Sequence, residues 1–581
     1  MRSPLLLVPL PGSAPRHAPH QLRTATRHPR RRIVVRVVLR AAPLPEHHRL
    51  AARLERLQAG VTRLAPEFSA AEFARFQAPD ADEVRQVVDY AVGAGLEVVE
   101  LSRMRHDVVL TGFSDRVEAA FGVDLELFDT TRGPRRSHRG VVHFPEPLHR
   151  SIVGVLGLDE IPRHRRHVML SPAASGPQSN YSPLELGEYY QFPPNLSGRG
   201  QRIAILAFGG GYHRTDLERF FQKNLGLALP EITPIGVGRA GNRPLGRDRL
   251  RAVMADYNRP RTTMAGLLRK HGGQVVELAK DTLEVTMDIQ IAGAIANRAA
   301  IDVIFADPSA SGWYDAIYTA LGLGPIRCRR ASVISVSWGI PESAWPGHLN
   351  VIDQALRAAC LKGVTVVCAS GDSGSTDDSS SGRAGVAFPG SSPHVLTVGG
   401  TSLRRGSRNG DLVEVVWNDK VHGLRGASGG GLSGHWSQPR YQRRVRMPRA
   451  GQHAAGLWTD LHHPPGRTRR GVPDVAAVAG FRGGYRVTVG GIETTGAGTS
   501  CGAPLWAGLA ARLAEGVGRP LGWLNPSLYR SEFRTAFRDI VRGDNRIVPG
   551  AARAFRARKG WDCCSGLGTP LGTELLRLLR G

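Results

Sequence analysis

Cysteine is scarce and poorly spaced: there are six (Cys328, Cys360, Cys368, Cys501, Cys563 and Cys564) in 581 residues, with no CxxC pair. That excludes a disulfide-stapled scaffold and a zinc finger, and the six read as buried or incidental thiols. Long apolar runs are also missing. No stretch approaches the roughly eighteen residues that a bilayer-spanning helix needs, so no membrane span is expected. Acidic residues are too few to balance the basic ones: 50 Asp and Glu stand against 76 Lys and Arg, a formal net charge of +26. What remains is ordinary. With 41% hydrophobic and 22% charged residues the chain is globular rather than wholly disordered. Its length suits two to four domains. The basic balance would serve nucleic acid or an anionic surface, and serves equally well as a solvated arginine-rich exterior.

The charge is spread along the chain. Residues 1–170 carry 26 Arg and no Lys against 19 acids, and the first forty carry nine Arg and no acid. Residues 1–32 also hold Pro4, Pro9, Pro11, Pro15, Pro19 and Pro29, and read as a disordered basic leader; the apolar residues 5–10 make a short, proline-interrupted export signal at best. From residue 33 (IVVRVVL) strand-like and helix-like segments alternate up to residue 165, as in a small α/β sandwich of ferredoxin-like type. Residues 166–178 are basic, small and turn-forming, a linker open to proteolysis. Beyond residue 179 the strand candidates at 202–206, 301–306, 332–337, 364–369 and 395–398 are continuous apolar runs, with helical stretches at 282–298, 314–321 and 351–361 between them. Such a pattern belongs to a parallel, doubly wound sheet buried on both faces. The arginine-rich stretches at 239–251, 404–408, 440–449 and 464–470 read as surface loops.

Three segments carry chemistry. In TGAGTSCGAP (residues 495–504), Ser500 sits where small residues give way to a helix-like run, near backbone N–H groups and the positive end of a helix dipole. A lone GTS would equally make a helix cap. A nucleophilic serine needs a base, and neither His271-Gly272-Gly273 nor His422-Gly423-Leu424 fits one. In LEVTMDI (283–289), Glu284 and Asp288 lie one helical turn apart on the stripe that also holds Met287, Ile291 and Ile295. Two acids inside a core share a proton at less cost than two charges. In ASGDSG (369–374), Asp372 follows a strand at the end where parallel sheets place their sites, though such a loop also suits a turn-forming aspartate.

Taken in order, Glu284-xxx-Asp288, Ser370-Gly371-Asp372-Ser373-Gly374 and Gly498-Thr499-Ser500-xxx-Pro504 resemble the sedolisins, the serine-carboxyl peptidases, and in particular their kumamolisin type. Matching segments extend the likeness from residue 33 onward: IAILAFGGGY (203–212), SVSWG (335–339), GGGLS (429–433), GVPDVA (471–476) and WLNPSLY (523–529). The resemblance implies a subtilisin-like α/β catalytic domain (179–581) preceded by an activation propeptide (33–165) that acts as intramolecular inhibitor. It implies Ser500 as nucleophile, Glu284 as general base and acid, Asp288 as its orienting partner, and Asp372 in the oxyanion hole. It also implies one Ca²⁺ held by the carboxylates of Asp539 and Asp562 and by the carbonyls of Ile540, Arg558 and Gly560.

Position 558 is Arg where the family commonly has Gly. Ala207 stands where kumamolisin-type members tend to carry a Glu that continues the catalytic hydrogen-bond chain through a residue matching Trp338. Ala387 stands where they tend to carry an acid in a specificity pocket, which implies less favour for basic side chains. The expectation is an acid-active, secreted, monomeric endopeptidase made as a zymogen, acting on protein or peptide substrates, with cleavage inside 163–178. A tripeptidyl aminopeptidase on the same scaffold is the near alternative. A catalytically inactive basic binding protein is the distant one, and no helix-turn-helix or RNA-binding aromatic motif supports specific nucleic-acid binding.

Overall fold

A computed structural model describes residues 6–15, 25–42, 52–53, 55–56, 68–130, 133–162, 165–166, 180–259, 262–345, 347–376, 384–405, 411–419, 426–448, 468–481, 483–547 and 555–581. Period-two patterning sets the first unit. Along β1 (Arg32–Leu39), Ile33, Val35, Val37 and Leu39 are buried on one face, in a core shared with Val87 and Ala91 of α1 (Ala81–Gly93). The chain continues through β2 (Glu97–Ser102), β3 (Asp107–Phe113), α2 (Ser114–Phe121) and β4 (Ile152–Leu156). The sheet order is β2-β3-β1-β4 with antiparallel pairing throughout, the βαββαβ arrangement expected of a ferredoxin-like unit.

The leader is more ordered than its prolines and arginines suggest. Leu7–Pro9 pairs with His143–Pro145, and Ala25–Arg27 pairs with residues 126–128 of the first unit. These short strands add to existing edges, so ordering them costs little beyond the backbone entropy of three residues each. Of the expected linker at 166–178, only Arg166 lies within the described residues. It is not loose: Arg165–Arg166 forms a short strand, β5.

The second unit is the doubly wound sheet. In chain order come β6 (Arg202–Ala207), β7 (Ile232–Gly236), α3 (Gly273–Ile295), β8 (Ala300–Phe305), α4 (Ala310–Ala320), β9 (Val333–Val336), β10 (Trp338–Pro341) and α5 (Leu349–Leu361). Then follow β11 (Thr365–Ala369), β12 (Ala387–Phe388), β13 (Leu396–Arg405), β14 (Leu412–Val416), β15 (Val475–Val478) and α6 (Thr499–Val517). The order is β7-β8-β6-β9-β11-β13-β14, with β15 also on β13; every pairing is parallel except that of β14. Alternate residues feed two cores. Ile203, Ile205 and Ala207 of β6 pack with α3 and α6, whereas Ala204 and Leu206 pack with α4 and α5 on the other face. Residues 247–251, the end of a stretch expected to be surface loop, open a helix that runs to Tyr257, with Leu250, Val253 and Met254 buried.

The exposed face of the first unit docks on the second. Val38 and Leu156 join Trp313, Tyr314, Ile352 and Leu356 in one apolar cluster. Arg36, on the same face of β1 as Val38, bonds Asp107 at 2.9 Å and Asp315 of α4 at 2.7 Å, and lies over the Tyr314 ring. Gln354 of α5 donates to the Leu39 carbonyl at 2.9 Å. The two faces of β1 therefore do different work, one building the first unit and one fastening it to α4 and α5.

Candidate active site

The site is built where α3 and α6 meet beside the carboxyl ends of β9 and β11. From Asp281 to Ile295 every residue of α3 is buried, so any polar side chain on this half of the helix must find its partner inside the protein. Gly508 lets α6 approach closely: a Cβ there would lie 2.7 Å from the Ile295 side chain. Gly498, with φ +109°, turns the chain into α6 and presents Ser500 in its first turn.

Glu284, Asp288 and Ser500 are all completely buried. Ser337, between β9 and β10, ties two of them together. Its hydroxyl donates to Asp288 Oδ1 at 2.8 Å, and its carbonyl accepts from Ser500 Oγ at 3.3 Å. The Ser500 hydroxyl also lies close enough to Glu284 to favour that carboxyl's charged form. Larger effects oppose this. Burial, and then the neighbouring Asp288, push Glu284 well above the ordinary carboxylate range, and burial does the same to Asp288. Asp372 approaches from the end of β11. Its Oδ1 accepts from the Thr499 backbone N–H and from the Thr499 hydroxyl, each at 2.8 Å, and the Gly371 N–H donates to that hydroxyl at 3.1 Å. The three carboxyls converge on one point in the chain: all of them join burial in raising the Cys501 thiol well above its usual value. That thiol stays protonated and inert beside the serine.

The structure thus brings Ser500, Glu284, Asp288 and Asp372 together, as the family resemblance implied. Ser337 and Thr499, which join the acids to the serine loop, lay inside quoted motifs without a role. Ala207, fully buried at the end of β6, supplies no carboxyl, so no acid extends the chain from that position. A further group went unforeseen. Arg166 of β5 reaches into the cleft and bonds the carboxylates of Asp281 and Glu277. The signal was present: Glu277, Asp281, Glu284 and Asp288 repeat at i, i+4, i+7 and i+11, which puts four acids on one stripe of α3.

In the C-terminal set, both aspartates accept from backbone N–H groups of residues 558–562. Gly560 N–H donates to Asp539 Oδ2 at 2.8 Å, and Arg558 N–H donates to Asp562 Oδ2 at 3.1 Å, so both carboxylates reach the same five-residue loop. Asp562 is buried, which raises it to about 6, and its Oδ1 accepts from the backbone of Cys564 and Ser565. The Arg558 guanidinium is engaged by the Trp561 and Arg446 carbonyls, which accounts for its charge next to the two acids. Among the described residues no three His, Cys, Asp or Glu side chains cluster as a metal site, so any ion here would draw the rest of its shell from carbonyls. Two carboxylates with the carbonyls of Ile540, Arg558 and Gly560 would make an all-oxygen donor set, the chemistry a hard cation takes.

Comparison with known proteins agrees with this architecture. Residues 22–161 match the pro-kumamolisin activation domain, and residues 299–537 match the subtilase family. The latter span contains Asp372 and Ser500 but begins after Glu284 and Asp288. The chain is 36% identical over 580 residues to kumamolisin of Bacillus sp. (strain MN-32), covering 98% of this chain and 96% of that one. It is 27% identical over 619 residues to tripeptidyl-peptidase sed5 of Aspergillus fumigatus, covering 99% and 97%. Among solved structures, Pseudomonas sedolisin complexed with pseudo-iodotyrostatin aligns with a TM-score of 0.52 at 24% identity, over 69% of this chain and 98% of that one, a likeness of fold.

Proposed function

The chain belongs to the sedolisin family of serine-carboxyl peptidases, kumamolisin type, and from that premise we propose that it is an acid-active endopeptidase working through Ser500, Glu284, Asp288 and Asp372. It is a serine-type peptidase made as a zymogen, and its first unit is the activation domain that acts as intramolecular inhibitor. Ser500 Oγ attacks the scissile carbonyl while Glu284 takes its proton. Asp288, held by Ser337, fixes the Glu284 carboxyl and shares its charge. Asp372, its Oδ1 occupied by Thr499, carries a proton on the other oxygen and donates it to the developing oxyanion beside the Ser500 backbone N–H. Glu284 then returns the proton to the leaving amine, and water cleaves the acyl-enzyme by the same steps. The observation that carries this reading is the buried Ser500–Ser337–Asp288 chain with Glu284 against the serine. The Glu284–Asp288 pair holds one proton between its two carboxyls and leaves one of them as the base while Asp372 keeps its own proton, so activity peaks in acid, at roughly pH 3–5.

Tripeptidyl-peptidase action on the same scaffold is the near alternative to endopeptidase action. In the zymogen β5 pairs antiparallel with β10 beside the site, an arrangement compatible with either mode. Exopeptidase action requires the cleft to be closed around a free amine. Amino-acetylated peptides separate the two: an endopeptidase cleaves them about as well as the free peptides, whereas a tripeptidyl-peptidase releases tripeptides from the free forms and leaves the acetylated ones intact. Release of tripeptides alone would overturn the endopeptidase reading.

The Asp539–Asp562 loop would hold one Ca²⁺, with the carbonyls of Ile540, Arg558 and Gly560 completing the shell. Bound there, the ion supplies structural cross-linking of the C-terminal loop and no chemistry at Ser500. An ion that binds only the folded state stabilises by mass action, about 2.7 kcal/mol at a hundredfold excess over its dissociation constant. Chelation is therefore expected to lower the unfolding temperature of the Ser500→Ala protein by several degrees, and Asp539→Asn to abolish that response. An unfolding temperature indifferent to both chelator and Ca²⁺ would remove the ion from the account. A self-inhibited zymogen active in acid suits a secreted monomer, the location and state we propose. No helix among the described residues is long and apolar enough to cross a membrane.

A further inference from the structure

The amino ends of the large sheet border a cavity remote from the serine. Four neighbouring parallel strands, β7, β8, β6 and β9, begin around it, so it opens at the edge opposite the carboxyl ends where Ser500 and Asp372 stand. Its volume is about 720 Å³, and four arginines line it: Arg202, Arg298, Arg329 and Arg330. Two acids stand beside them. Glu231 lines the wall, and Asp302 is bonded by Arg202 at 2.6 Å. Arg330 donates to the Lys362 carbonyl at 2.9 Å. Arg298 and Arg329 are exposed, and among the described residues no carboxylate pairs with either. Cations gathered in a concave wall repel one another, a cost that a bound anion removes. The strand ends are satisfied on their own: the Arg202 N–H donates to Ser332 Oγ at 3.2 Å, and the Ile301 N–H to the Glu231 carbonyl at 2.8 Å. The guanidinium groups of Arg298 and Arg329, not the backbone, are therefore the donors left for a ligand.

We propose that this cavity is an anchoring site for an acidic glycan, whose sulfate or phosphate groups are bound by Arg298 and Arg329 with Arg202 and Arg330 beside them. The planar guanidinium fork matches a tetrahedral oxyanion through two parallel bonds. Four arginines outnumber what one oxyanion engages, which favours a ligand carrying several. Sulfate and phosphate esters also keep a charge in acid, where a carboxylate polymer loses much of its own. Nucleic acid carries phosphate too, but among the described residues no aromatic side chain lines the cavity to stack a base. An occupant here leaves the cleft at the opposite edge of the sheet free, so an anchored molecule keeps its access to substrate.

The test is equilibrium binding of the full-length Ser500→Ala protein to dextran sulfate, dextran phosphate and a thymidine oligonucleotide, at about pH 5 and about 0.15 M salt. The expected result is saturable binding of at least one of the two dextrans, weakened about tenfold by Arg298→Gln combined with Arg329→Gln. The pair Arg103→Gln and Arg116→Gln, an equal loss of charge at exposed arginines of the first unit, should weaken it less than about threefold. Whichever dextran binds more tightly tells sulfate from phosphate, and either supports the site. Binding of neither dextran, equal losses for the two pairs of substitutions, or tighter binding of the oligonucleotide than of either dextran overturns it. None of these readouts needs hydrolysis, so the outcome stands apart from the peptidase reading.

Discussion

Glu284→Gln is expected to lose peptide hydrolysis by several orders of magnitude and to make the folded protein more stable at neutral pH. The first effect follows from removing the group that takes the Ser500 proton, since members of such a unit lose most of the rate singly. The second follows from burial. Glu284 and Asp288 titrate well above the ordinary carboxylate range in the folded state. Between the unfolded value, near 4.3, and the raised folded value, the folded state holds a proton that the unfolded state releases. Stability therefore falls as pH rises across that window, by about 1.4 kcal/mol per pH unit for each retained proton. A glutamine has no proton to retain. Denaturant unfolding in the Ser500→Ala background, which prevents self-digestion, should find the added Glu284→Gln nearly neutral at pH 4 and increasingly stabilising as the pH rises toward 7. A difference independent of pH would show that the buried Glu284–Asp288 pair does not retain a proton in the folded state.

Asp372→Ala is expected to lower kcat by about 10²–10³ with a much smaller change in KM, the signature of a lost oxyanion donor. The residue reaches the serine loop through Thr499, and the methyl of alanine restores neither that link nor the proton. Thr499→Val, which removes the hydroxyl and with it the bonds to Asp372 Oδ1 and from the Gly371 N–H, should cost less, because the Thr499 backbone N–H still holds the carboxyl. Equal losses for the two substitutions would make Asp372 a packing residue rather than a donor.

What could be read from the sequence was local. Glu284 and Asp288 are one turn apart on a single helix, and Ser500 stands four residues before Pro504 in a glycine-rich turn, so their chemistry is written in short spacings. The alternation of Ile33, Val35 and Val37 gave the first sheet, and the apolar runs gave the second. What escaped depended on distant partners. Leu7–Pro9 is ordered only because His143–Pro145 offers an edge. Arg470, in a stretch expected to be loop, is wholly buried in a two-bond ion pair with Asp474 and lies near the Tyr441 ring. The grip of Asp281 on Arg166 spans 115 residues and needed the fold to close it.

The central claim is that a serine activated by a carboxyl pair cleaves the chain that covers it. Its most direct test is intact-mass analysis of the purified full-length protein held at about pH 4, beside Ser500→Ala treated identically. The account predicts that the unaltered protein loses its propeptide through a cut within residues 163–178, with first-order kinetics independent of protein concentration, while Ser500→Ala remains full length. Maturation of the alanine variant at the same rate in isolation would contradict it.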